Sequence, residues 1–404
     1  MNVLSGKRIV LGVTGSIAVY KSVDLASQLT KSGALVDVIL TEAAAKLIAP
    51  LTFSSVTGRK AYLDNDLWQV DDHVLHIDLG ENNKAFLIAP ATANTIAKLA
   101  HGLADNLLTL SALASRNNII IAPAMDGGMY SNPATQENLE ILQRRGVEIW
   151  GPGSGHLASG LAGKGRMLEP LQLLGHLRQW MGKEGLLSGK KVVVTAGGTQ
   201  EPIDPVRVIS NRSSGKQGYT LAQAALDQGA KVVLISGPTC LTPPLGVELV
   251  NIQTAKDLTE AVLRETEQAD LLIMTAAVAD YRPAKVSSRK VKKIQGGLAA
   301  IEVETTPDIL QEIAERKKKA KCGPQFTVGF AAETENLLEN AREKLEKKGL
   351  DLIVANDVSR EDAGIAADQN EVILIWKAGN TRNIPLMDKS HLSEILIEEC
   401  ARLM

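Results

Sequence analysis

Cysteine is scarce in this chain, and the little there is sits apart. Cys240, Cys322 and Cys400 are the three in 404 residues, all in the second half. No pair has CxxC or zinc-ligand spacing, so a disulfide framework and a structural zinc site are both excluded, and a reducing cytoplasm is the expected setting. Charge of one sign is equally wanting. Lys and Arg number 44 against 46 Asp and Glu, a net charge of −2, which offers no basic field to nucleic acid or to an anionic membrane. No apolar run approaches a membrane span, and the opening MNVLSGKRIVLGVTG has no signal-peptide cleavage pattern. The expectation is a soluble cytoplasmic protein. Neither half carries GxGxxG spacing, which argues against a nicotinamide oxidoreductase.

What is present is a repeated α/β pattern. A length of 404 residues exceeds one ordinary core, and 45% apolar with 22% charged residues is the balance of a globular chain. Apolar runs without alternation predict buried parallel strands near 7–13, 35–41, 85–90 and 117–122. Between the first two, Val19, Val23, Ala26 and Leu29 recur at helical spacing, with Gly33 as a C-cap. The pattern then restarts: LSGKRIVLGVTGS at 4–16 is echoed by LSGKKVVVTAGGT at 187–199. Further strands are predicted near 191–195, 231–236, 270–275, 326–330, 351–355 and 371–376. The fold class is therefore α/β, with two doubly wound Rossmann-like three-layer domains of mainly parallel sheet, spanning 1–183 and 187–404. The polar, glycine-rich MGKEGLLSG at 181–189 reads as the linker. The charged SSRKVKKIQGG at 287–297 reads as a solvated loop of the kind that closes over substrates.

In open α/β sheets ligands sit at the carboxyl ends of the strands. Four segments of the first half fall there: GVTGSIA at 12–18, Thr41, PATANTIAK at 90–98 and PAMDGGMY at 123–130. The small-residue turn with Gly12, Thr14, Gly15 and Ser16 leads into a helix and suits a phosphate. Taken with HIDL around His76, APATANTIAKLAHGLADNLLT and GxGRM at 163–167, the stretch resembles the FMN-dependent cysteine decarboxylases that include phosphopantothenoylcysteine decarboxylase. The resemblance covers roughly residues 5–180. It implies FMN held by Gly15, Ser16, Thr41, Pro90, Ala91, Thr92, Asn94, Asp105, Asn106 and Met125, with His76 as the base or the group orienting the thiol. Two positions depart from the family pattern. Asp126 stands where the family has Asn in PAMN, and Ser159 where it has a proton-donating Cys. A hydroxyl is far less acidic than a thiol, so three readings follow. Another donor serves, with His156 three residues away; the reaction stops at the ene-thiol; or flavin binds without turnover.

In the second half, TAGGTQEPIDPVRVISNRSSGKQG at 195–218 gives two turns with backbone amides open to phosphate. One is Gly197–Gly198–Thr199; the other is Ser213–Ser214–Gly215–Lys216 at a helix start. With AAVADY at 276–281, KVKK at 290–293, GFAAET at 329–334 and LDLIVANDV at 350–358, this half resembles phosphopantothenate–cysteine ligase over essentially all of 187–404. The resemblance implies that phosphopantothenate reacts with CTP to an acyl-cytidylate and that cysteine then displaces CMP. Asn211 would hold that intermediate. Ala276, Ala277, Asp280, Pro307, Asp308, Ile309, Leu310 and Phe330 would contact the nucleotide, and Lys290 would meet its phosphates. Lys344 and Lys348, one turn apart on a helix, match the family's triphosphate lysines, although alone that face reads as a solvated Glu–Lys stripe. No protein-only metal cage is visible, so Mg2+ is expected to arrive with the nucleotide. The families further imply a homo-oligomer: a trimer of flavin halves, a dimer of ligase halves and a dodecamer overall. The main reading is a bifunctional enzyme of coenzyme A biosynthesis. The alternative is an active ligase whose flavin domain is catalytically altered or serves as a binding or assembly module. The related halotolerance regulators are marked by long acidic tails, and this chain ends in ILIEECARLM.

Overall fold

A computed structural model of the chain describes residues 2–68, 74–156, 160, 162–291, 300–320, 322–333, 335–357 and 367–404. They form two compact units, Asn2–Arg178 and Gln179–Met404.

In the first unit β1 (Arg8–Val13), β2 (Leu35–Leu40), β3 (Ala61–Tyr62), β4 (Ala85–Ala91), β5 (Ile119–Pro123) and β6 (Glu148–Ile149) pair in the order 3-2-1-4-5-6, every pair parallel. β1 from Ile9 onward and all of β4 are buried, which is why they read as unbroken apolar runs. The chain winds outward from β1 through β2 and β3, then returns to β4 on the other side. That reversal places a crevice where β1 and β4 end. Helix Val19–Lys31 covers the sheet with Val19, Leu25, Ala26 and Leu29, and Gly33 follows with φ +85°, taking the left-handed turn past the helix end. β7 (Gly153–His156) and β8 (Ala162–Arg166) form an antiparallel hairpin. Its glycines and exposed side chains gave no strand signal.

The second unit repeats the plan. β9 (Lys191–Ala196), β12 (Lys231–Ser236), β13 (Glu248–Asn251), β14 (Leu271–Met274), β17 (Phe326–Glu333) and β18 (Leu352–Asp357) are parallel, and β19 (Gln369–Trp376) and β20 (Thr381–Asp388) extend the edge antiparallel. The order is β13-β12-β9-β14-β17-β18-β19-β20, with the reversal between β9 and β14. Two small antiparallel pairs lie outside the sheet: β10 (Gln200–Pro202) with β11 (Val208–Ser210), and β15 (Tyr281–Pro283) with β16 (Val303–Thr305). Helix Lys216–Asp227 packs so closely that a Cβ on Gly218 would lie 2.5 Å from that of Ala196.

The glycine-rich stretch expected as a linker is built into this unit. Helix Pro170–Gly182 runs into it, a Cβ on Gly182 would meet the Asp227 carbonyl oxygen at 2.3 Å, and the Leu187 N–H donates to Gln228 O at 2.8 Å. Glycine serves close backbone approach there, not flexibility. Among the described residues no helix is long and apolar enough to cross a membrane.

Candidate functional site

Each unit presents a cavity at its reversal point. In the first, the ends of β1 and β4 are locked together by one buried hydroxyl. Thr14 Oγ1 donates to Pro90 O at 2.7 Å and accepts from the Thr92 N–H at 3.2 Å. Gly15 then turns against helix Glu42–Ala45, where a Cβ would sit 2.5 Å from that of Ala43. The expected polar residues around this crevice are helix caps. Thr41 accepts from Ala44 N, Thr92 from Thr95 N, Asn106 from Thr109 N, and Asp126 from Gly128 N at 2.9 Å. Asp105 pairs with Lys98 at 2.8 Å, which holds its carboxyl below the usual range.

A cavity of about 490 Å3 opens between Ser16–Ala18, Ala124–Asp126 and the end of the hairpin at Gly165–Met167, with Lys21 and His156 also lining it. The hairpin reaches it because Gly165 lies against Met125: the Met125 N–H donates to Gly165 O at 3.0 Å, and a Cβ on Gly165 would meet Met125 O at 2.3 Å. Sequence reasoning placed Ser16, Met125, Asp126 and His156 here, and missed Lys21. That lysine is buried in the helix, donating to Met167 O at 3.1 Å and to Glu169 at 2.9 Å. Its signal was a charged residue in register with Leu25 and Leu29 on the apolar stripe. Pro90, Ala91, Thr92 and Asn94 stand at the β4 end beside Thr14, outside the cavity lining, and His76 is half-buried on helix Leu75–Glu81, also outside it. Ser159 lies outside the described residues.

In the second unit the segments after β9 and β14 are stitched together. The Ala277 N–H donates to Gly197 O at 2.9 Å, Thr199 N–H to Ala277 O at 3.2 Å, and Ala279 N–H to Thr199 Oγ1 at 3.0 Å. Asn211 Nδ2 donates to Val278 O at 2.8 Å, tying the ISNRSSGK loop to the same segment. Beneath it a cavity of about 440 Å3 is lined by Asn211–Gly218, Met274–Ala277, Phe330 and Ala332, and by Asn356, Asn370 and Lys389. So Asn211, Ala276, Ala277 and Phe330 line one cavity.

Lys216 pairs with Asp368, and buried Lys389, whose ammonium is disfavoured by burial first and by Lys216 next, donates to Ala367 O at 2.6 Å. Lys389 and Asn370, whose Oδ1 is buried with no partner among the described residues, were missed. Neither belongs to a local motif.

The remaining nucleotide candidates lie outside this lining. Lys344 pairs with Glu333 at 2.5 Å, next along β17 from the cavity residue Ala332, and Lys348 pairs with Asp308 at 3.2 Å. Asp308 accepts from Gln311 N at 3.2 Å at the start of helix Ile309–Ala320. The Ile309 side chain is in the core. What it can offer a ligand is its backbone N–H in the helix's first turn. Leu310 is part-buried against two core clusters, while Pro307, Asp280 and Lys290 are exposed. Among the described residues no group of three or more His, Cys, Asp or Glu could hold a metal ion.

Residues 2–182 match the family model described as Flavoprotein, and residues 187–404 match DNA/pantothenate metabolism flavoprotein C-terminal domain. The chain is 44% identical over 403 residues to the Coenzyme A biosynthesis bifunctional protein CoaBC of Bacillus subtilis, covering 99% of this chain and 98% of that one. It is 42% identical over 407 residues to the protein of the same name from Escherichia coli, covering 98% and 97%. Among solved structures, the FMN binding protein AtHal3 is 33% identical with a TM-score of 0.40, over 43% of this chain and 96% of that one.

Proposed function

Because the chain belongs to the family of bifunctional coenzyme A biosynthesis proteins, we propose that it converts phosphopantothenate to phosphopantetheine by ligation in the second unit and decarboxylation in the first. The observation that carries this is the end-to-end match: 99% of the chain aligns with a protein named as bifunctional, so both halves are on one polypeptide.

In the ligase half the carboxylate of phosphopantothenate attacks the α-phosphorus of CTP. The α–β phosphoanhydride breaks and pyrophosphate leaves, with Mg2+ accompanying the phosphates. The amine of cysteine then attacks the acyl carbon, an amide forms, and CMP departs with the bonding pair. Asn211 stands at the cavity edge to donate to the developing oxyanion. Phe330 offers an aromatic face, and the helix start at Gly215–Lys216 offers backbone amides and a cation to an anionic group.

For the decarboxylase half, the first cavity fits FMN: Ser16 and Arg166 suit a phosphate, Met125, Ala124 and Met167 are apolar walls, and Gly165 lets the hairpin close against Met125 to form one side of it. Bound there, FMN would supply a reversible two-electron sink for the cysteinyl carbon and sulfur. His76 lies away from the cavity lining, so we place it at a neighbour's flavin site in a trimer of flavin halves. Exposed Tyr20 (63%) and Trp68 (85%) provide apolar surface for such packing. Asp126 caps its short helix by accepting from Gly128 N, a bond equally open to an Asn, and as a second carboxylate it would repel the substrate's own unless protonated or paired. His156, in the cavity lining, is the proton donor we assign in place of a thiol.

A second reading, an active ligase with an altered flavin half, is favoured by Asp126 and Ser159. Anaerobic mass spectrometry of products from phosphopantothenoylcysteine and FMN separates the two. Phosphopantetheine supports the full sequence, and an ene-thiol places the block at the reductive proton. Untouched substrate beside an active CTP-dependent ligase leaves the second reading.

A further inference from the structure

A buried carboxylate in the second unit has no place in the chemistry above. Asp204 sits in the turn between β10 and β11, and its side chain is fully shielded from solvent. Oδ1 accepts from Val206 N and Arg207 N, each at 2.9 Å. Oδ2 accepts from Arg207 Nε at 3.0 Å, from Arg207 Nη2, and from Val291 N at 3.1 Å. With its lone pairs thus occupied, the carboxylate cannot itself meet a substrate. Arg207 is the largest influence keeping it ionised, well below the usual carboxylate range.

Asp204 and Arg207 grip one residue from both sides. Arg207 Nη2 donates to Val291 O at 2.8 Å while Val291 N–H donates to Asp204. A second stitch lies four positions upstream, where Ser287 N–H donates to Ile203 O at 3.0 Å. Between the stitches Ser287 Oγ donates to Arg289 O at 2.6 Å. Lys290 therefore stands on an exposed segment whose backbone is fixed immediately after it and three residues before it. Val206, at 64% exposed, and Val291, at 40%, bury little apolar surface here, so the grip is poorly explained by core formation.

We propose that Asp204 is a positioning residue for the ligase reaction: through Arg207 and the backbone of Val291 it fixes the segment from which Lys290 meets the nucleotide phosphates. This rests on the nucleotide role given to Lys290 by family resemblance. A flexible lysine stem on an untethered segment would lose entropy on meeting a phosphate, and the clamp removes most of that loss beforehand.

The test compares Asp204→Asn, Lys290→Ala and the double variant in full-length protein, varying CTP, phosphopantothenate and cysteine separately. Asp204→Asn is expected to raise KM for CTP about tenfold, leave KM for cysteine unchanged, and add nothing to Lys290→Ala in the double variant. An unchanged KM for CTP in Asp204→Asn, with Lys290→Ala impaired, overturns the inference and spares the reading of Lys290. A normal Lys290→Ala overturns both. Should Asp204→Asn not fold, Arg207→Lys carries the same comparison. Amide hydrogen exchange on the unaltered protein is independent of either: protection at Val291 and Ser287 above Lys290 is expected, and equal rates across the three count against the clamp.

Discussion

Lys21 holds Glu169 at 2.9 Å from within the buried face of a helix, and the same ammonium donates to Met167 O at 3.1 Å. Arg166, the last residue of β8, reaches the same carboxylate oxygen at 2.8 Å. A lysine of the first helix thereby fastens the chain just beyond the hairpin that walls the flavin cavity, and it is the largest influence holding the Glu169 carboxyl below its usual range.

Lys21→Met keeps the stem and removes the ammonium. The Met167 carbonyl is left without its donor, a loss of about 1–3 kcal/mol in unfolding free energy. If the tie positions the cavity wall, the FMN dissociation constant rises about tenfold as well. Urea denaturation reads the first and flavin fluorescence titration the second. Loss of stability with normal FMN binding would reduce Lys21 to a structural tie.

Gly218→Ala reverses an ordinary expectation. In an exposed helix interior the change stabilises by about 1 kcal/mol. Here the new methyl would lie 2.5 Å from the Ala196 Cβ, 2.8 Å from Thr195 O and 2.8 Å from Thr275 Oγ1, all on strand-end segments that cannot easily yield. The variant is expected to unfold about 1–3 kcal/mol more readily and to bind CTP more weakly, since Gly218 and Thr275 line the cavity. A calorimetric midpoint at or above that of the parent would show that the helix shifts outward at no cost.

Cys400 is fully buried, and burial first, then Glu399, pushes its thiol up to about 12. Because the folded value exceeds the unfolded one, the stabilisation is complete below about pH 8.5 and is lost as pH rises from there towards 12. The slope for this single proton is about 1.4 kcal/mol per pH unit. Exposed Cys240 should react with a thiol reagent in the native protein and Cys400 only after unfolding. Urea midpoints followed from pH 8 upward should fall less steeply in Cys400→Ala. Parallel lines for the two proteins would assign the alkaline loss to other groups.

Strands β1, β4, β9 and β12 were legible because strands buried on both faces read as unbroken apolar runs. β20 was not, for it buries Ile384 among exposed neighbours, and β7 and β8 each carry two glycines and hardly any apolar side chain. The same contrast holds at the sites. Asn211 and Phe330 sit in motifs whose residues are close in sequence. The duty of Asp204 depends on Val291, 87 residues away, and the contact of Lys216 on Asp368, 152 away. No local pattern encodes such pairs. Lys21 was different: it broke the apolar stripe of its own helix, and that break was readable.

Lys344 and Lys348 offer the sharpest distinction between a ligand role and a merely structural one. Each is already paired, with Glu333 at 2.5 Å and with Asp308 at 3.2 Å, and Glu333 also accepts from Asn340 Nδ2 at 3.2 Å. All four groups are partly exposed, so the pairs themselves add little stability. If the lysines serve the triphosphate, each carboxylate competes with the nucleotide for its ammonium, and the two members of a pair must act in opposite directions. Lys344→Ala should raise KM for CTP about tenfold, increasingly so at low salt where exposed charges are least screened. Glu333→Gln, which releases Lys344 while keeping the side chain's shape, should lower KM for CTP about twofold to fivefold. Steady-state ligase kinetics on both variants at two ionic strengths decide it. A purely structural pair would move both in the same direction, through stability and with KM unchanged, and the assignment of this helix to the nucleotide would then fall.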